Sequence, residues 1–461
     1  MQTTKTNYTA LMTLATVFFF WGFVAASNDI LIPVFKKQLH LSQGKVQLIS
    51  FAFYIAYTVG SLIYFGVSMI RKKDILASLG YKNGIALGLV ISAIGTLLFI
   101  PAANTQSFEL MISGLFIVGL GFSLQQTAAN PLTINIGDPS TGSQRLSLTG
   151  GINNIGTTIG PVLVSLAIFG DVSGDSSTIQ IENIKVPYLI LGAAFILVAV
   201  LLKFSSIPNH LPTVESETTS VKKSAIRFPQ LWLGMIAIFV YVGVEVSTAG
   251  NLSEYLKQTM GLKENQVAPY VSLFWASLMI GRWTSAASVF TKKSLNKRIL
   301  GVILPYAAFG VFILVNLWVK NDIRPFKFYG FVIAIMIVLE FLSKGNPSRQ
   351  LLIFSLAGIV SLLIGMFGSG MTSVYAFIAV GLFCSTLWPC IFTLAINKLG
   401  ASTTQGSGLL IMMIMGGGIV SIIQGGLAEN PAIGIQMSYV VGIVCFAYLA
   451  FYAYIAPRIT K

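Results

Sequence analysis

Four ionisable side chains lie inside long apolar stretches: Asp29, Glu245, Arg282 and Glu340. A charge at the centre of a hydrocarbon layer costs about 2.5–3.5 kcal/mol on insertion scales, so each needs a partner or a task. Asp29 follows Asn28, about two turns inside the outer end of its stretch. A carboxylate beside an amide there is suited to couple an ion; its plainer reading is an end-of-helix carboxylate that reaches water. Glu245 sits mid-stretch in Tyr241-Val242-Gly243-Val244-Glu245, with Asn251 under two turns further on. A carboxylate or amide at that depth discriminates a hydroxyl-rich solute by hydrogen-bonding it; the alternative is pairing within a helix bundle. Arg282, in Gly281-Arg282-Trp283, reads as a structural contact near the inner end. Glu340 reads as a side chain that snorkels to the interface.

The amides form a second constellation. Gln125, Gln126 and Asn130 immediately precede Pro131, and Asn153 and Asn154 lie on the next stretch. A proline removes a backbone donor and frees a carbonyl, which a membrane tolerates only where a partner or cavity satisfies it. Clustered amides beside such a break predict a wet cavity, with Trp21, Trp275 and Trp388 as aromatic faces on which a sugar ring could stack. Several other signals lead nowhere. Gly119-Leu120-Gly121 predicts close helix packing rather than a phosphate cradle, and Asp171 to Asp175 lacks calcium-loop spacing. Cys384, Cys390 and Cys445 all sit in apolar stretches, and His40 and His210 are far apart in loops. No metal ligand set is expected beyond a cation at Asp29, no cofactor is expected, and no GxSxG, HExxH or Walker pattern supports an enzyme.

The elements that must position these residues are membrane helices. Of 461 residues, 55% are hydrophobic and 10% charged, against about 25% charged in a soluble domain. The net charge of +14 is spread over short loops and forms no basic stripe, which argues against nucleic acid. Apolar runs predict six spans, near 10–35, 46–70, 83–101, 106–136, 146–170 and 187–205. Residues 206–228 form a polar linker, and eight runs follow between 229 and 456. The first run mimics a signal peptide but continues through Ile30 to Phe35, the length of a retained helix. With the N-terminus inside, 19 Lys and Arg fall in inner segments and nine outside, so both termini are expected in the cytoplasm.

An internal repeat organises the spans. Gly119, Ser123 and Pro131 recur as Gly381, Ser385 and Pro389, with offsets near 260, and Gly156 recurs as Gly416. Gly22 and Gly243 align at an offset of only 221. The difference is the length of one helical hairpin, placed near 299–343. The expectation is an all-α membrane protein with a bundle at 1–205, a linker at 206–228 and a bundle at 229–461 carrying the hairpin, about fourteen spans in all.

At these residues the chain resembles the fucose:proton symporter family of the major facilitator superfamily, including its glucose/galactose branch. The resemblance runs through Phe20-Trp21, Asn28-Asp29-Ile30-Leu31, Gln126-Thr127-Ala128-Ala129-Asn130-Pro131, Tyr241-Val242-Gly243, Gly281-Arg282, Pro389-Cys390-Ile391-Phe392 and Met415 to Val420. It implies two six-helix bundles and a sugar-binding cavity served by alternating access; the hairpin has no counterpart in that twelve-helix pattern. It also implies a proton-titrating aspartate at Asp29, a sugar-contacting asparagine at Asn153 and a binding-site aromatic at Trp388. The family's glutamate before Thr-Ala-Ala-Asn-Pro is Gln126 here. Since an amide releases no proton near neutral pH but ligates a hard cation, the departure favours sodium over protons, with Asp29, Asn28 and Gln126 as the ion-coupling set. The expected sugar contacts are Gln126, Asn130, Asn153, Glu245, Asn251, Trp275 and Trp388. The expected partners are a monosaccharide (hexose, deoxyhexose or amino sugar), Na⁺ or H⁺ and the bilayer of a cell inner membrane, around a monomeric chain. The alternatives are a proton-coupled or uncoupled transporter of another polar solute, and a sugar sensor that moves nothing.

Overall fold

The computed structural model describes residues 6–38, 43–71, 75–169, 185–209, 225–291 and 294–460, with backbone only at 25, 27–38, 43–51, 77, 139, 161–162, 164–169, 264–265, 294 and 401. All described elements are helical. The first six long helices are α1 (Tyr8–Gln38), α2 (Gln43–Arg71), α3 (Tyr81–Thr105), α4 (Phe108–Asn135), α5 (Gly142–Phe169) and α6 (Lys185–Phe204). They are followed by α7 (Pro229–Met260), α8 (Glu264–Phe290), α9 (Ser294–Trp318), α10 (Tyr329–Ser343) and α11 (Pro347–Phe367). The last are α12 (Gly370–Ala395), α13 (Thr403–Glu429) and α14 (Gly434–Ile459).

Among the described residues 11 helices are long and apolar enough to cross a membrane, short of the expected fourteen. Outside that set are α1, whose described apolar stretch Tyr8–Val24 is shorter, and α5 and α8, which carry Gln144, Arg145, Asn153, Asn154 and Arg282. These helices give up apolarity to hold the polar residues of the site. The lipid-facing logic is plain in α6. Tyr188, Leu191, Phe195, Val198 and Leu202, three or four residues apart, are buried, while Leu189, Ile190, Leu197 and Leu201 on the other face are exposed. A helix apolar all round, with one face packed and the other bare, suits hydrocarbon rather than water.

The chain divides into two compact units: Met1–Asp138, Ile155–Arg227 and Leu399–Met412 in one, and Pro139–Asn154, Phe228–Lys398 and Met413–Lys461 in the other. Helices α5 and α13 are each divided between them. The internal repeat shows as matched close contacts within each unit. In the first, a Cβ on Gly60 would stand 2.9 Å from Ser123 Cβ, and one on Gly119 would stand 3.2 Å from the Phe53 carbonyl. In the second, Gly281 meets Ser385 and Gly381 meets the Phe274 carbonyl at 2.5 Å. A third pair matches Gly156 on the Phe19 carbonyl with Gly416 on the Phe239 carbonyl. Only glycine permits helix axes this close. Across the Gly60–Ser123 contact and its copy, the offset between equivalent residues grows from 221 at Gly281 to 262 at Ser385, so the extra length lies somewhere between those two residues.

Helix α10 and the turn before it are seated by polar contacts. Ser277 and Tyr329 hydroxyls lie 2.7 Å apart, and Tyr375 donates to the Pro325 carbonyl. Glu340 does not snorkel. It is buried, and Gln350 Nε2 donates to it at 2.5 Å. The partner sits on the adjoining helix α11, so the carboxylate turns inward rather than toward water.

Candidate functional site

Each unit carries one proline break among its candidate residues. Pro131 in α4 cannot donate to the carbonyl four residues earlier, that of Thr127, and Ser407 Oγ supplies the missing hydrogen bond at 2.9 Å. Pro389 in α12 likewise frees the Ser385 carbonyl, and Arg282 Nε donates to it at 2.9 Å. The same guanidinium donates through Nη1 to Asn154 Oδ1 at 2.6 Å and to the Gly150 carbonyl at 3.2 Å. Asn154 Nδ2 in turn donates to the Trp275 carbonyl at 3.4 Å. Arg282 therefore ties the N-terminal half of α5 and the break in α12 to α8. Glycine is required at Gly151, where a Cβ would stand 2.5 Å from the Trp283 ring. The structural role read for Arg282 in the sequence is the one it fills here.

Adjacent amides divide their tasks, because successive residues on a helix point about 100° apart. Gln125 is fully buried. Its Oε1 accepts from Trp21 Nε1 at 2.5 Å and its Nε2 donates to Ser92 Oγ at 2.9 Å. Trp21 is thus a buried clamp, not a stacking platform. Gln126 turns the other way, donating to Tyr57 Oη at 3.0 Å, and is the one residue from 125 to 134 that is not buried. In α5, Asn154 is buried in its clamp while Asn153 stays partly open.

The remaining expected residues follow the same pattern. Trp388 is the one unburied residue from 376 to 392, and Trp275 the one from 273 to 281. Glu245 and its neighbour Val246 are both partly open within the otherwise buried run from 241 to 249. Tyr241 donates its hydroxyl to the Glu245 carboxylate, and its ring lies 6.1 Å from that of Trp388. In the second unit Glu245, Tyr241 and Trp388 thus form one patch. Asn251 is not part of it. Six residues beyond Glu245, it points about 120° away, and its Nδ2 donates to the Ser247 carbonyl at 2.9 Å. Asn130 is closed off as well, buried with Nδ2 unpartnered. The Asn28 and Asp29 side chains lie outside the described residues.

Residues with no signal in the sequence complete the framework. Arg145 is fully buried and donates to Thr141 Oγ1 at 2.8 Å. Gln144 Nε2 donates to the Gly345 carbonyl at 2.9 Å. Both occupy the first turn of α5, where a polar run resembles a loop.

The chemistry of this arrangement is recognition without bond-making: partly open amides and flat aromatic faces on apolar helices. Residues 12–339 match the model of the Major Facilitator Superfamily. The chain belongs to the major facilitator superfamily. It is 32% identical to the glucose/galactose transporter of Brucella abortus over 97% of this chain and 94% of that one. The L-fucose-proton symporter of Escherichia coli is 26% identical, covering 95% and 91%. Among solved structures, the major facilitator transporter FucP in its outward conformation superposes with a TM-score of 0.74 at 25% identity, covering 97% and 98%. The resemblance drawn from the motifs therefore holds, and the fold is that of a multi-pass membrane transporter family. The preference for sodium finds no support among these relatives, which include proton symporters.

Proposed function

We propose that this chain imports a monosaccharide by proton symport through alternating access. The observation that carries the reading is the pattern of openness: Gln126, Trp275 and Trp388 interrupt runs of buried residues on three helices, and Asn153 is partly open on a fourth. Amides hydrogen-bond hydroxyls and indoles cover a ring face, the two kinds of group that a hexose, deoxyhexose or amino sugar calls for. These four uncharged side chains are the proposed sugar contacts; Asn130 and Asn251, closed or turned away, are left out of the set. Asp29 is the proposed proton carrier on α1, and the naming of relatives as proton symporters favours that ion over sodium. The protein is proposed to work as a monomer in a cell inner membrane, with both termini cytoplasmic. The proposed spans number fourteen, arranged as bundles at 1–205 and 229–461 joined by 206–228, with the hairpin crossing the membrane.

Purified protein in proteoliposomes tests this. Labelled hexose should accumulate against its gradient when an inward proton gradient is imposed, persist when choline replaces Na⁺, and collapse with a protonophore. Uptake that vanishes in choline and ignores the protonophore would return the coupling to sodium. Absence of any labelled-sugar exchange would leave a sensor as the better reading, and a panel of competing unlabelled sugars would name the substrate.

A further inference from the structure

Glu245 is a carboxylate at membrane depth whose hydrogen-bonding is nearly empty. Its neighbour on its own helix, Tyr241, is its one described hydrogen-bond donor. The charged or titratable groups that face it from the packed helices are Arg282 on α8 and Cys384 on α12. Among the described residues no ion pair within 4 Å joins Glu245 to a cation, for the Arg282 guanidinium bonds three neutral oxygens: Ser385 O, Gly150 O and Asn154 Oδ1. Two such charges held apart at low dielectric are costly, and the cost falls when the carboxyl is neutral or when the two meet. The geometry therefore offers two settled arrangements. With Glu245 protonated, Arg282 holds the N-terminal half of α5 and the proline break of α12, as here. With Glu245 ionised, the guanidinium has a stronger acceptor within its field and its hold on the neutral oxygens weakens.

We propose that Glu245, with Arg282 as its countercharge, carries a coupled proton in the transport cycle and links it to the grip of Arg282 on Asn154 and Gly150. The inference rests on the proton-symport reading and adds a second carrier in the unit opposite to Asp29. In the step itself, a proton from water on the outer side forms the O–H bond of the Glu245 carboxyl. That bond breaks when the site faces the inner side, and the proton passes to inner water. No other atom is exchanged. This assigns Glu245 to ion coupling instead of to a sugar hydroxyl, and Arg282 becomes a positioning residue rather than a fixed strut.

The test compares E245Q with the unaltered protein in proteoliposomes carrying an internal pH dye. Addition of a transported hexose to the unaltered protein should acidify the lumen; if it does not, proton symport itself fails, and the proposal with it. Given that response, E245Q should keep sugar counterflow within about threefold while sugar-driven proton entry and gradient-driven accumulation fall at least tenfold. Proton entry retained in E245Q would overturn the proposal. So would parallel loss of counterflow and sugar binding in a folded E245Q, which would mark Glu245 as a sugar ligand. If E245Q does not fold, E245D, which keeps a carboxyl, should transport with a displaced pH midpoint; a profile unchanged from that of the unaltered protein overturns the idea equally.

Discussion

Replacing Gln125 and Gln126 separately should divide stability from recognition. Gln125→Ala removes the acceptor for Trp21 Nε1–H and the donor to Ser92 Oγ, at 2.5 and 2.9 Å. Interhelical hydrogen bonds in membrane proteins average about 0.6 kcal/mol, with a maximum near 1.7. Ser92 keeps its own bond to the Val118 carbonyl, so only the buried indole N–H is stranded, at about 1–3 kcal/mol. The summed loss is about 2–4 kcal/mol. Gln126→Ala breaks one bond, to Tyr57, at a partly open position, and should cost about 0.5 kcal/mol. It also removes a proposed sugar contact, so affinity should fall about tenfold, or roughly 1.4 kcal/mol. Chemical unfolding in detergent reads the first quantity and sugar titration calorimetry the second. Equal destabilisation by the two changes, or undiminished affinity in Gln126→Ala, would refute the division of tasks between neighbouring amides.

Three further outcomes are expected. A cysteine at Asn321, between α9 and α10, should react with an impermeant thiol reagent in intact cells if the hairpin crosses the membrane with the termini inside; reaction only after permeabilisation places that turn inside. Gln350→Leu leaves the buried Glu340 carboxylate without its 2.5 Å donor and should lower unfolding stability by about 1–3 kcal/mol or more, whereas the double change with Glu340→Leu should recover most of it. Gly121→Leu should yield little monodisperse protein on size exclusion, because even its Cβ would stand 2.5 Å from the Gly88 carbonyl, where backbone cannot give way. Normal yield of that variant would mean the two helices separate more readily than their contact implies.

Some of this architecture was legible in the residues and some was not, for physical reasons. The repeat could be read because close helix crossings demand small residues at fixed places, so Gly119, Gly156 and Pro131 leave marks that their copies share. Gln126, Asn153, Trp275 and Trp388 drew attention through residue type alone, and each is partly exposed in the structure. The silence of Asn251 and Asn130 could not be read, since an amide one turn away is the same letter whichever face it occupies. A helix apolar on every side carries no amphipathic signal to say which face looks inward. Glu340 was misread because its partner Gln350 is contributed by the following helix, and depth alone suggested snorkelling. Arg145 escaped notice because its surroundings, Ser143-Gln144-Arg145, look like a loop until the helix that contains them is seen.

The division of α5 has a consequence for how the chain is made. Residues 139–154 group with the second unit although they precede it by about seventy positions, and they carry two of the oxygens that Arg282 grips. During synthesis that half-helix is in place well before α8 leaves the ribosome, so it awaits its partner. A chain severed within 206–228 would give a second fragment whose guanidinium has lost the Gly150 and Asn154 acceptors. Such a fragment, expressed alone, should be a target for proteolysis. Co-expressed with residues 1–205, it should find those acceptors again, so the two pieces would complement one another as fragments while neither half would serve as a free-standing domain.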